Sequence, residues 1–172
     1  MTVRYDPKFI LHLFDYMVWG DRKQLAAARA VPDAEYNKHR GFSAGSIHDV
    51  LVHQMAAQKG WLSRWNGVNP TRIEDRNDYP TRAALEQRWP IVHRELLDFV
   101  SRQTEQSLAA VMHVRRTNGD PVDLPLGAQM MHVSDHGTYH RGQLNSMLKL
   151  AGAATVYTPY YRYVQATETR QP

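Results

Sequence analysis

The chain has 172 residues, 42% hydrophobic and 22% charged, the composition of an ordinary globular protein with room for one domain and a real core. It has no cysteine, which excludes disulfides and thiolate ligands; any thiol chemistry must use a thiol brought by a cofactor or substrate. The net charge of +4 comes from 21 Lys and Arg spread among 17 acids with no run of like charge, which argues against a nucleic-acid footprint.

No apolar run approaches the roughly 20 residues of a membrane span. The N-terminal Met-Thr-Val-Arg-Tyr-Asp-Pro has no apolar core of a signal peptide, so the cytoplasm is the expected location.

A first long helix is predicted over residues 7–30. Asp6 serves as cap, Pro7 stands at the first helical position, and Pro32 closes the segment. Phe9, Leu13, Tyr16 and Gly20 form its stripe, widened by Ile10, Phe14, Met17 and Leu25. Residues 33–42 read as a polar connection. Ser43 or Ser46 then caps a second helix that runs to about Asn66-Gly67, with Ile47, Val50, Leu51, Met55, Trp61, Leu62 and Trp65 on its apolar side. Gln54 and Gln58 interrupt that side, and two glutamines on a core face need partners, which points to a polar pocket. His48 and His53 are about 140° apart on this helix and cannot easily serve one site. Geometry slightly favours His53, with Asp49 one turn before it as an acceptor for its ring.

Thr81 opens a third helix to about residue 107, interrupted at Pro90, with Leu85, Trp89, Val92, Leu96 and Phe99 as its seam. His93 is expected at its surface. Asn118-Gly119 marks a small hairpin within residues 111–124, and His113 on it is expected to be exposed. A fourth helix is predicted from Leu126 to Leu150, stopping at Gly152, and the tyrosine-rich tail adds a short helical turn over one end of the bundle. The fold expected is all-α: one domain over 1–172, a four-helix bundle with a hairpin between its third and fourth helices.

The fourth helix carries the chemistry. His132, His136 and His140 recur at i, i+4 and i+8, each about 40° from the last, on a face shared with Gln129, Val133, Gln143, Met147 and Leu150. Ser134, Thr138, Arg141 and Asn145 fall on the opposite face, expected to be solvated. Histidines aimed at a core must be satisfied. A metal on two of them plus a ligand from another helix would leave a position open for water or substrate. Imidazoles suit Zn²⁺, Ni²⁺ or Fe²⁺. A hydrogen-bonded histidine network is the competing reading. His136-Gly-Thr-Tyr-His140 has no zincin glutamate, and no nucleophile-elbow motif occurs.

His132-Val-Ser-Asp-His136-Gly-Thr-Tyr-His140-Arg-Gly-Gln143 resembles the H-x-x-N-H-x-x-x-H-R-G-Q signature of the DinB (damage-inducible protein) family. Gly45-Ser-Ile-His-Asp-Val-Leu-Val-His53 with Trp61-Leu62, and Tyr16-x-x-Trp19, resemble its other motifs. The resemblance implies a DinB/YfiT-like four-helix bundle, often a homodimer. It also implies a divalent metal, zinc or nickel among the candidates, on His53, His136 and His140, with His132 beside it. Relatives include transferases and isomerases that use a low-molecular-weight thiol. Family members often carry Asp or Glu where this chain has Gln58, and Asn where it has Asp135, so a possible general base is missing here.

The leading expectation is a metal-dependent transferase or hydrolase. It would act on a small-molecule substrate in a pocket walled by Tyr16, Trp19, Gln54, Gln58 and Trp61, with Gln143 close by. The alternatives are a non-catalytic metal- or ligand-binding, stress-related bundle, and a bundle whose histidines are purely structural.

Overall fold

The computed structural model describes residues 3–41 and 44–167. Its elements in chain order are α1 (Pro7–Arg29), α2 (Asp33–Tyr36), α3 (Ile47–Trp65), α4 (Arg82–Ser101), α5 (Glu105–Ala109), β1 (Val111–Arg115), β2 (Pro121–Pro125), α6 (Leu126–Leu150) and α7 (Tyr160–Thr167). The long helices make the bundle: α1 and α3 each pack against both α4 and α6. Phe14, Met17, Leu51, Met55, Leu85, Leu96, Met130 and Leu144 lie at its centre, each essentially inaccessible to water. Burying one such side chain contributes roughly 1.5–3 kcal/mol before entropy is counted.

Local chemistry sets the helix starts. The Asp6 carboxylate accepts from Lys8 N at 2.9 Å, and Pro7 occupies a position whose N–H would be unpaired in any case. Ser46 and Asp49 form a reciprocal capping box at α3, and the Thr81 hydroxyl accepts from Ala84 N at α4. Of the two serines considered as the α3 cap, Ser43 lies outside the described residues. Asp49, engaged with Ser46, does not reach the ring of His53 as an acceptor.

The hairpin forms where expected. β1 and β2 pair antiparallel, with Val111 opposite Pro125 and Arg115 opposite Pro121. Gly119 supplies the left-handed backbone (φ 89°) that the reversal needs. Leu126 N donates to Ala110 O at 3.0 Å and ties the start of α6 to the base of the hairpin.

Several expectations change. The buried line of α1 runs through Ile10, Phe14, Met17, Asp21, Gln24 and Ala28, which leaves Phe9 48% exposed, about 100° off that line. A short helix, α2, interrupts the supposed polar connection. The third long helix continues through Pro90 and ends at Ser101, because Thr104 and Ser107 cap each other and start α5. On α6, Ser134 and Arg141 are buried rather than solvated, while Leu150 is exposed. The helix is covered on two sides, by α3 and by α1, and the second side is polar. His93 is buried too, not on the surface.

Candidate metal centre

His53 projects from the middle of α3 toward α6, where His136 and His140 stand one turn apart. Their ring centres form a tight triangle: 4.3 Å for His136–His140, 4.7 Å for His53–His140 and 5.3 Å for His53–His136. One nitrogen of each ring lies within 4.8 Å of those of the other two. Nε2 of His136 and Nε2 of His140 are 3.0 Å apart. That separation suits two nitrogens each about 2.1 Å from one ion, at roughly a right angle to each other.

The rings are held neutral, as metal ligands must be. Burial first, then the neighbouring imidazoles, push His136 down to about 3. Burial and the neighbouring His53 push His140 down to about 4, against the opposing pull of Gln143. Burial lowers His53 as well. The Nδ1–H of His140 donates to Gln143 Oε1 at 2.7 Å, which leaves the Nε2 lone pair facing the other two histidines. Three convergent nitrogen donors with no carboxylate among them fit a borderline divalent ion of the zinc or nickel type. Calcium and magnesium, which take oxygen ligands, do not fit this donor set.

Beside the triangle lies a cavity of about 470 Å³ between α3, α6 and the hairpin, with His53, His136, His132 and Trp61 in its wall. His132 is exposed at its rim, its ring 5.4 Å from Trp61 and 6.0 Å from His136. His48, the rival to His53, is instead buried against Tyr36 Oη (3.1 Å) and Tyr79 O (2.8 Å). His113 is exposed on the hairpin beside Asp123. His12 meets Tyr160 and Tyr163 of α7 edge-on.

A model of the DinB family matches residues 1–171. The chain belongs to the DinB family. It is also similar to Protein DinB of Bacillus subtilis (strain 168), 22% identical over 170 residues, a match that covers 95% of this chain and 98% of that protein.

In this DinB bundle, four of the residues expected to wall the pocket are elsewhere. Tyr16 donates its hydroxyl to Thr158 O at 2.8 Å, and Trp19 packs on Tyr163, so both anchor the C-terminal segment. Gln58 belongs to a buried polar cluster between α1, α3, α4 and α6. Its Nε2 donates to Asp21 Oδ2 and its Oε1 accepts from Trp89 Nε1, both at 2.7 Å. His93 Nε2 lies 3.3 Å from Asp21 Oδ2, and Arg141 Nη1 lies 3.8 Å from Asp21 Oδ1. Gln54, one turn before Gln58, is buried with neither amide atom hydrogen-bonded among the described residues. The glutamines do mark buried polarity, but it is the polarity of the core. The sequence pattern alone does not reveal Asp21, His93 and Arg141 as members of this cluster. Asp21 falls on the line through Met17 and Ala28, which is the one signal that could have flagged it.

Proposed function

We propose that this DinB-family chain is a metal-dependent enzyme in which His53, His136 and His140 hold one divalent ion and the adjoining cavity receives a small molecule. The observation that carries the reading is the convergence of three neutral imidazoles on one point at the wall of that cavity. A divalent ion held by three histidines keeps positions open for exchangeable ligands, and its chemistry is the acidification of a bound water or thiol at neutral pH. The protein's own residues do the rest. Gln143 orients His140, Trp61 and His132 shape the mouth, and Val122 and Leu124 of the hairpin supply apolar wall. Transferase chemistry with a low-molecular-weight thiol, or hydrolysis, follows from such a site. A homodimer and a cytoplasmic setting belong to the same reading.

One observation favours a non-catalytic binding role instead. Among the described residues no carboxylate lines the cavity, and Gln58 is fully engaged by Asp21 and Trp89, so they supply no general base of the Asp or Glu type there. Elemental analysis after purification with added Zn²⁺ and Ni²⁺ tests the metal centre. About one ion per chain is expected, lost in His136→Ala and His140→Ala but kept in His48→Ala. A wild-type protein that takes up no metal overturns the reading. Turnover of electrophiles with several small thiols separates enzyme from binding module.

A further inference from the structure

The cavity beside the histidines carries a second feature that metal binding does not use. Arg64 of α3 and Arg116, just beyond β1, both line it, and among the described residues no Asp or Glu does. Arg64 is 5% exposed, its Nε donates to Arg115 O at 2.7 Å, and its guanidinium sits 5.2 Å from the centre of the Trp61 ring. Those contacts fix the plane of the fork and leave both Nη groups without a hydrogen bond among the described residues. The Arg116 side chain is exposed and makes no ion pair or hydrogen bond among the described residues. Eight other arginines are partnered: Arg4, Arg29, Arg40, Arg72, Arg76, Arg82, Arg88 and Arg141 each meet a carboxylate. Two cations facing one cavity without a counter-charge are costly to hold together. Burial and the Arg116 charge both act against the Arg64 cation.

We propose that Arg64 and Arg116 form the anion subsite of this cavity, and that the ligand is a small organic acid with one carboxylate and an apolar body. A guanidinium held by its Nε still offers donors that match a carboxylate, and Ile73, Val122 and Leu124 supply apolar wall for the body. Trp61 adds a flat face against which an aromatic or unsaturated body can lie. The carboxylate is held at the hairpin side, so the other end of the molecule is directed toward His53 and His136. In this orienting role the proposal rests on the metal-centre reading. The subsite itself needs no metal.

The test measures binding of phenylacetate and of its neutral counterpart phenylacetamide by calorimetry. It is run on metal-free protein kept in a chelator, so that the acid cannot bind through an ion. The acid is expected to bind about tenfold tighter than the amide, and added salt should weaken the acid alone. Arg116→Ala removes an exposed side chain that makes no hydrogen bond or ion pair among the described residues, so the fold is expected to be kept. It should cut acid binding about tenfold and leave the amide unchanged. Equal affinity for acid and amide, no binding of the acid, or an unchanged acid affinity in Arg116→Ala would each overturn the proposal. Acid binding that follows this pattern in a protein that never takes up metal would overturn the metal-centre reading and leave the subsite standing.

Discussion

Gln143 Oε1 lies 2.7 Å from Nδ1 of His140, and this contact decides which nitrogen of the ring faces His53 and His136. With Nδ1 carrying the proton, Nε2 is left as a lone pair. Gln143→Leu removes the acceptor while keeping bulk on the helix. The ring is then free to rotate or change tautomer, and metal affinity is expected to fall about 10–100-fold. Gln143→Glu, which puts a charged acceptor on the same nitrogen, is expected to restore or raise it. Competition against a chromophoric chelator measures both, and equal affinity in all three proteins would remove Gln143 from the site.

The Asp21 cluster makes a separate claim, about stability. Asp21 is inaccessible to water and, among the described residues, is the carboxylate that meets Gln58, His93 and Arg141. Asp21→Ala leaves the Arg141 cation buried with no counter-charge and Gln58 with no acceptor, a loss on the order of 3–5 kcal/mol. Asp21→Asn keeps an acceptor for Gln58 and should cost less than the alanine change. Urea unfolding of the three proteins ranks them. A destabilisation below about 1 kcal/mol for Asp21→Ala would mean that water already replaces the pair.

These two clusters differ in how far the sequence reveals them. The i, i+4 spacing of His136 and His140 puts them on one side of α6 by helix geometry alone. The rotation between His48 and His53, and the motif that His53 closes, favour His53. The hairpin was legible in Asn118-Gly119, since so few residues accept the turn backbone. A helical wheel assigns polar letters to water, which puts Arg141 on the solvated side although it is buried. Its counter-charge, Asp21, stands on another helix, although Thr138 of α6 accepts from its Nη2; the partners Gln58 and Asp21 are 37 positions apart, and His93 and Asp21 are 72 apart. Pairing over such distances leaves no local period, so a buried polar face on α6 looks like a solvated one. Gln54 and Gln58 stood out because they break an apolar stripe, but the stripe cannot tell whether the polarity belongs to a ligand pocket or to a core.

Close packing at Gly127 offers a prediction with a sign reversal. A Cβ on this helical glycine would overlap the ring of Tyr5, which is itself buried. Gly127→Ala gains up to about 1 kcal/mol of helix propensity but forces the N-terminal segment off α6, for a net loss of about 1–3 kcal/mol. In a Tyr5→Ala background the overlap is gone, and the same Gly127→Ala change should be neutral or stabilising. Thermal unfolding of the four proteins gives the coupling, and purely additive effects would show that Tyr5 moves aside without cost.

Acid should unfold the metal-free protein for a reason rooted in the triangle itself. In the folded chain His136 is pushed down to about 3 and His140 to about 4, while in the unfolded chain both return to the ordinary value of about 6.5. Between those values the unfolded state binds more protons, so stability rises with pH across this window. The contribution is complete above about pH 6.5 and is lost as the pH falls toward about 4 and below. Urea midpoints measured from pH 8 to 4 in a chelator should therefore decline on the acid side. The decline should be shallower in His136→Gln, which removes the most strongly depressed group while keeping a polar side chain. Bound metal should shift the fall to lower pH, because protons must then displace it from the same nitrogens. Identical acid slopes in wild type and His136→Gln would mean that the ring is hydrated and free to protonate in the folded protein.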